Sequence, residues 1–263
     1  MQPITIIKTG GNIIDDETEL SLFLQRFAQT PGYKILAHGG GKLATKLAAA
    51  LNIPQQMVNG RRVTNAETLK IATMVYAGDV NKRMVAGLQA INCNAIGLSG
   101  ADGNLIEGRK REVTGIDYGF AGDLDETSVN TTLLLQLLEM GLTPVVAPIT
   151  HNKAGQLLNT NADTIASALA IALSVFAETT LVFCFEKRGV LSNPDDEDSV
   201  IPHINQHTYT QLKADGIITA GMIPKIDNAL QAIEKGVKKV IIGSGNELHQ
   251  LIQSKSGTII SNG

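Results

Sequence analysis

The chain has 263 residues, 43% of them hydrophobic and none of them Trp, which is enough for one large α/β domain or two lobes sharing a sheet. Its formal net charge of -3 and the lack of a dense Lys/Arg run exclude non-specific nucleic-acid binding and leave small molecules as the expected partners. With no basic-apolar leader, a longest near-apolar run (165–177) too short for a bilayer, and only two cysteines, the expectation is a cytoplasmic protein without membrane contact, disulfide framework or thiolate metal site.

Ile4 to Ile7 is a short, largely β-branched run that reads as a buried strand and delivers Lys8 to a turn at Gly10-Gly11. A helix follows over Glu19 to Phe27, stopped by Pro31-Gly32. Lys34 to His38 then repeats the grammar: a strand running into Gly39-Gly40-Gly41 and an amphipathic segment with Leu43, Leu47 and Leu51 on one face. Two parallel strands that both end in glycine turns would set those turns side by side, at the edge where open α/β sheets bind ligands. Val58 to Thr64 reads as a hairpin centred on Asn59-Gly60, with Arg61 and Arg62 directly after the turn. From Ala66 to Ala90 the apolar spacing predicts a long helix, apolar on more than one face.

Ala95 to Leu98 is a further strand, the glycine-punctuated 117–123 segment predicts loops and short edge strands, Val129 to Met140 predicts a helix, and Pro144 to Ala147 a strand. Asn159 to Asp163 reads as the cap of an Ala-rich helix to about Leu173. A fresh pattern begins beyond Ser174: a strand at 181–185, the loop Glu186-Lys187-Arg188-Gly189, an acidic turn at 195–198 read as solvated, a helix over Thr208 to Asp215, Pro224-Lys225 leading a helix to Lys235, a strand at 239–242, and Ile259-Ile260. The expected fold is α/β, a three-layer α/β/α sandwich on a mostly parallel central sheet, with lobes 1–173 and 174–263.

A lysine at the end of a buried strand, as at Lys8, either carries its head out to water or serves a bound anion. The glycines at 10, 11, 39, 40 and 41 form a potential nest of backbone N–H groups for phosphate or an oxyanion, although neither common nucleotide fingerprint is present. If Pro224 takes the first helical position, Lys225 lies at the positive end of a helix dipole, which a bound polyanion would turn from unfavourable to favourable. Asp163 either complements its helix terminus or sits between the two lysines. Arg62 could grip a carboxylate in a bidentate fork, and Asn159 either orients the same ligand or caps. The five histidines show no ligand spacing, so no protein-built metal site is assigned.

Taken in order, Lys-x-Gly-Gly at 8, His-Gly-Gly-Gly at 38–41, Asn-Gly-x-Arg-Val-Thr at 59–64, Ala-Gly-x-Val-Asn-Lys at 77–82, Asn-x-Asn-Ala-Asp at 159–163 and Gly-Met-Ile-Pro-Lys at 221–225 resemble the acetylglutamate kinases of the amino acid kinase family. The 59–64 motif separates them from carbamate, aspartate and uridylate kinases. The resemblance implies ATP-dependent phosphorylation of the γ-carboxylate of an N-acylglutamate, with Mg²⁺ arriving on the nucleotide phosphates. It implies Lys8, Lys225 and Asp163 as catalytic residues. Gly11, Gly40, Gly41, Arg62, Asn159 and Asn161 would contact the acceptor. Gly10, the run Glu186, Lys187, Arg188, Gly189, Val190 and Leu191, and Ile217, Ile218 and Thr219 would contact the nucleotide. Where many members carry Thr/Ser-Asp-Val-x-Gly, this chain has Phe185-Glu186-Lys187-Arg188-Gly189. Arg61 and Lys42 add positive charge near the acceptor, from which a succinyl instead of an acetyl group is a second expectation. Because the sequence opens directly on its first strand, the resemblance further implies an arginine-insensitive homodimer.

Overall fold

Ile4 and Ile6 alternate with Thr5 and Ile7 along the first strand, and all four are buried, so Ile4–Thr9 has core on both faces and must lie inside a sheet. In the computed structural model, which describes residues 1–58, 60–218 and 222–262, it does. Its neighbours are Tyr33–His38 on one side and Thr179–Phe185 on the other, both parallel, with Lys8 in register with Ala37 and Phe183. Thr143–Val146 and Ala95–Leu98 extend the sheet beyond Tyr33–His38; Lys239–Ser244, Thr258–Ile260 and His203–Ile204 extend it beyond Thr179–Phe185. The eight-stranded sheet is parallel except where Thr258–Ile260 runs antiparallel to Lys239–Ser244.

Each face carries a helical layer. On the face of Ile4 and Ile6 lie Thr131–Glu139, Ala162–Ser174 and Ile223–Glu234; their Leu134, Leu169 and Ile226 are fully buried. On the face of Ile7 lie Glu17–Ala28, Gly41–Ala50 and the 66–90 helix, which bury Phe23, Ala48 and Met84. Burying each large aliphatic side chain contributes about 1.5–3 kcal/mol, so the two layers supply most of the driving force. The three-layer expectation holds. Helix Ala162–Ser174 ends at Ser174, and the strand that follows pairs with Ile4–Thr9, so one sheet runs through residues 1–173 and 174–263 alike.

Three local features depart from the sequence reading. The 66–90 helix is interrupted by a π-helical stretch, Met74–Val80, between Ala66–Thr73 and Asn81–Ala90. A second, four-stranded sheet of short strands, Arg109–Lys110, Ala121–Asp123, Leu157–Thr160 and Ile149–His151, stands apart from the main one. Asn159 belongs to that sheet, paired with Ala121, and is no cap; the cap is Asn161, whose side chain accepts from the N–H of Asp163 and Thr164. Among the described residues no helix is long and apolar enough to cross a membrane.

Candidate active site

The strand alternation that buries Ile4 and Ile6 sends Lys8 to the same face, where helix Ala162–Ser174 covers the sheet. Asp163 is in the first turn of that helix, and Lys8 Nζ lies 2.8 Å from its Oδ1, with the side chains only 18% and 22% exposed. The ammonium therefore does not snorkel into bulk water. A Cβ on Gly10 would stand 3.2 Å from the same Nζ and would press on the ammonium.

The two glycine turns adjoin. Gly39 N–H donates to Thr9 O at 3.0 Å, and a Cβ on Gly39 would lie 3.8 Å from Gly10 Cα. Gly40 has φ 148° and ψ 14°, a conformation that L side chains avoid, and it opens helix Gly41–Ala50 as an N-cap with no side-chain cap hydrogen bond. The first N–H groups of that helix have no intrahelical acceptor, so they are available to an anion. Gly11, at φ 59°, plays the same part for the short turn Asn12–Asp15.

Behind this turn His38 is fully buried. Its Nδ1 donates to Gly39 O at 2.8 Å and its Nε2 accepts from Asn81 Nδ2 at 3.1 Å; Asn81 also donates to Val145 O at 2.9 Å. Burial is the main cause that brings the imidazole down to about 4, the Gly39 carbonyl opposes it and Lys82 adds to it, so at neutral pH the ring is neutral and braces the glycine turn. The π-helical stretch ends at Val80, immediately before Asn81, and such insertions recur at functional sites. The 77–82 motif was visible in the sequence; the His38 contact, between residues 43 positions apart, was not. Tyr76, from the same stretch, packs its ring against Gly40, and burial raises its phenol pKa.

Arg62 is held over the glycine turn. Its Nη2 donates to Gly41 O at 3.0 Å and Thr45 Oγ1 at 2.9 Å, and its Nη1 donates to Gln55. Asn159 reaches it from the second sheet, anchored by donation to Thr64 Oγ1 at 3.0 Å. With Gly40, Gly41, Arg61 and Asn161 these two residues line a cavity of about 190 Å³. The structure thus gathers Lys8, Asp163, both glycine turns, Arg62, Asn159 and Asn161 at one sheet edge. Gln55, Thr45 and Tyr76 join them without having been assigned to the site from the sequence, as do Thr64 and Asn81, which the quoted motifs contain but to which no role was given.

On the other side of that edge Glu186 follows strand Thr179–Phe185, and a Cβ on Gly11 would lie 3.6 Å from its Oε1. Lys225 Nζ stands over the Phe185 ring at 4.8 Å from its centroid. The helix begins at Ile223, with Met222 as its N-cap, so Pro224 takes the second helical position and not the first. The acidic turn at 195–198 is exposed, as expected, and two of its carboxylates form surface ion pairs: Lys187 pairs with Glu197 at 3.1 Å and Arg188 with Asp198 at 2.7 Å, Arg188 also reaching Glu247 at 3.1 Å. Gly189 and Val190 are buried, with Val190 N–H donating to Thr258 Oγ1 at 2.8 Å; Leu191 is half-buried and bridges to Val200. Ile218 is buried, Ile217 half-buried, and Thr219, like Asn59 and Gly221 of the quoted motifs, lies outside the described residues. Lys42 does not face the cavity: it bonds Asn12 and lies 3.9 Å from both Asp15 and Glu186. Among the described residues no three His, Cys, Asp or Glu side chains gather closely enough to hold a metal ion.

The sequence model of the Amino acid kinase family matches residues 3–244. The chain is 55% identical over 250 residues to the acetylglutamate kinase of Parabacteroides distasonis, covering 95% of this chain and 97% of that one. It is 54% identical to the acetylglutamate kinase of Cytophaga hutchinsonii, over 96% and 95% of the two chains. In three dimensions it matches the N-acetylglutamate synthase of Neisseria gonorrhoeae, complexed with coenzyme A and N-acetyl-glutamate, with a TM-score of 0.83 at 23% identity over 99% of this chain and 59% of that one. Carbamate kinase from Giardia lamblia, bound to AMP-PNP, gives 0.69 at 15% identity over 100% and 99% of the two chains. At these identities the structural matches speak to the fold.

Proposed function

The chain belongs to the amino acid kinase family, and from that membership we propose that it transfers the γ-phosphoryl group of ATP to the γ-carboxylate of an N-acyl-L-glutamate, N-acetyl- or N-succinyl-L-glutamate, giving an acyl phosphate on the route to arginine. The observation that carries this reading is the Lys8–Asp163 pair set at 2.8 Å against a double glycine turn, beside a cavity lined by Arg62 and Asn159.

The chemistry needs little more than placement. A carboxylate is already a nucleophile, so no general base is required, and the barrier falls through alignment and charge neutralisation around the moving phosphoryl group. Arg62 and Asn159 would hold the α-carboxylate, their own donors and acceptors fixed by Gly41, Thr45, Gln55 and Thr64. Backbone N–H groups at Gly11, Gly40 and Gly41 would face the γ-carboxylate and the phosphoryl oxygens. Lys8 would meet the phosphoryl group from residues 1–173, with Asp163 fixing its position. Lys225 would meet it from residues 174–263, leaving the Phe185 ring when phosphate arrives. Gly10, Glu186 to Leu191, and the stretch at Ile217 and Ile218 would border the nucleotide. Mg²⁺ arriving with the nucleotide would neutralise part of the phosphate charge, while the Asp163 carboxylate is already paired with Lys8. A cytoplasmic homodimer completes the proposal.

ATP-dependent formation of an acyl phosphate, trapped as the hydroxamate by hydroxylamine, tests it. Turnover of N-acetyl- or N-succinyl-L-glutamate with stoichiometric ADP release is expected. Binding without turnover would instead favour a ligand-sensing protein on the same fold.

A further inference from the structure

Arg61 and Arg62 are neighbours on strand Arg61–Val63 and both line the acceptor cavity, yet they are held very differently. Arg62 is braced by three hydrogen bonds, to Gly41, Thr45 and Gln55, which leave two of its five N–H donors for a ligand. Among the described residues Arg61 makes no side-chain hydrogen bond; its nearest acid is Asp123, at 3.9 Å from Nη1. Asp123 is already occupied, because Arg111 Nη1 donates to both of its oxygens at 2.8 and 2.9 Å. Arg61, Arg111 and Asp123 therefore carry a net positive charge, on a half-buried guanidinium with a rigid fork of donors.

The charge count at the cavity makes this consequential. Its lining holds both guanidinium groups and no carboxylate. N-acetylglutamate brings two carboxylates: the γ-carboxylate belongs at the glycine turn and Lys8, and the α-carboxylate at Arg62 and Asn159. Nothing in that substrate answers Arg61. Met57, Gly60 and Arg61 of the hairpin line the same cavity as Arg62 and Asn159, so an acyl arm on the α-nitrogen would share that cavity with Arg61. We propose that the cavity selects an N-acyl group ending in a second carboxylate, of succinyl length, which Arg61 grips while Arg62 holds the α-carboxylate. This rests on the kinase reading above. Of the two cations expected from the sequence to serve such a group, Lys42 is turned towards Glu186 and only Arg61 remains.

A charge-assisted, bidentate hydrogen bond of this kind corresponds to about 10- to 100-fold in specificity. The test compares kcat/KM for N-succinyl-L-glutamate and N-acetyl-L-glutamate in the wild type and in Arg61→Gln, with calorimetric binding of each compound alongside. A wild-type ratio of about 10 or more in favour of the succinyl compound is expected, collapsing towards 1 in Arg61→Gln and partly restored in Arg61→Lys. A wild-type preference for the acetyl compound, or a ratio untouched by Arg61→Gln, would overturn the proposal and leave Arg61 as a brace on Asp123. Acyl phosphate from neither compound would sink the kinase reading; tighter binding of the succinyl compound would then still uphold the Arg61 assignment, and equal binding would end it.

Discussion

Gly40→Ala puts the glycine turn to its hardest test. At φ 148° and ψ 14° an alanine is strained wherever it has room, at about 1–3 kcal/mol. Here it has none: its Cβ would stand 2.9 Å from Tyr76 Cδ1, 3.2 Å from Cε1 and 3.4 Å from Val80 Cγ2. Tyr76 and Val80 are 5% and 0% exposed, so neither can swing into solvent, and overpacking of this kind adds about 1–3 kcal/mol. The sum is about 2–6 kcal/mol, a large share of the roughly 5–15 kcal/mol by which a domain is stable. Gly115→Ala is the matched control, because Gly115 has φ 82° and no atom within 4 Å of its Cβ position, leaving strain alone. Urea unfolding followed by circular dichroism should place Gly40→Ala below Gly115→Ala by at least about 1 kcal/mol. Whatever fraction folds should lose about 10²-fold or more in kcat, as expected when backbone donors to the reacting group are displaced. If Gly40→Ala matched the control in stability and stayed within a few-fold of wild type in kcat, the close packing behind the turn would be irrelevant to the site.

Lys8→Ala and Lys225→Ala should each reduce the hydroxamate-trapped rate by about 10²–10³-fold, and effects of only a few-fold would remove the two-lysine clamp. Asp163→Asn should fall short of that loss while raising the apparent KM for ATP less than Lys225→Ala does, measured by steady-state kinetics. The buried His38 has its folded pKa, about 4, below its ordinary value of 6.5, so the unfolded chain takes up the proton first. Stability is then full above pH 6.5 and falls as the pH drops towards 4, by about 3 kcal/mol at most. Urea midpoints for wild type and His38→Gln should converge across that window, and parallel curves would contradict the assignment. Burial pushes the Cys184 thiol up to about 12, and Cys93 is also buried, so a thiol reagent at pH 8 should label neither cysteine before unfolding; rapid labelling of the native protein would show the core to be open.

Much of the architecture was legible in the sequence because it rests on local periodicity. Strand Ile4–Thr9 announces itself by β-branched residues, helix Ala162–Ser174 by its run of Ala and Leu behind an Asn cap, and the two glycine turns by residues with no side chain. Lys8 stands out for a related reason, as a lysine at the end of a buried run; an acid in a first helical turn, an arginine after a hairpin turn and an Asn before a helix are ordinary, so roles for Asp163, Arg62 and Asn159 come from the resemblance of the motifs and not from their placement. What periodicity does not carry is pairing at long range. The short strands of the second sheet, two to four residues each, have too few residues to show a period, so the sequence leaves Asn159 open between a cap and a ligand contact, and only its pairing with Ala121 removes the cap. His38 and Asn81 look like any strand and helix residues, and only the packing of the π-helical stretch brings them within 3.1 Å. Charge is the sharpest case. Arg61 and Lys42 are equal cations on paper, but Arg111 has already neutralised Asp123 beside one, while Glu186 and Asp15 draw the other away. A side chain's formal charge is fixed by its residue type, whereas its counter-charge is fixed by which distant residues the fold sets next to it, and that is decided only in three dimensions.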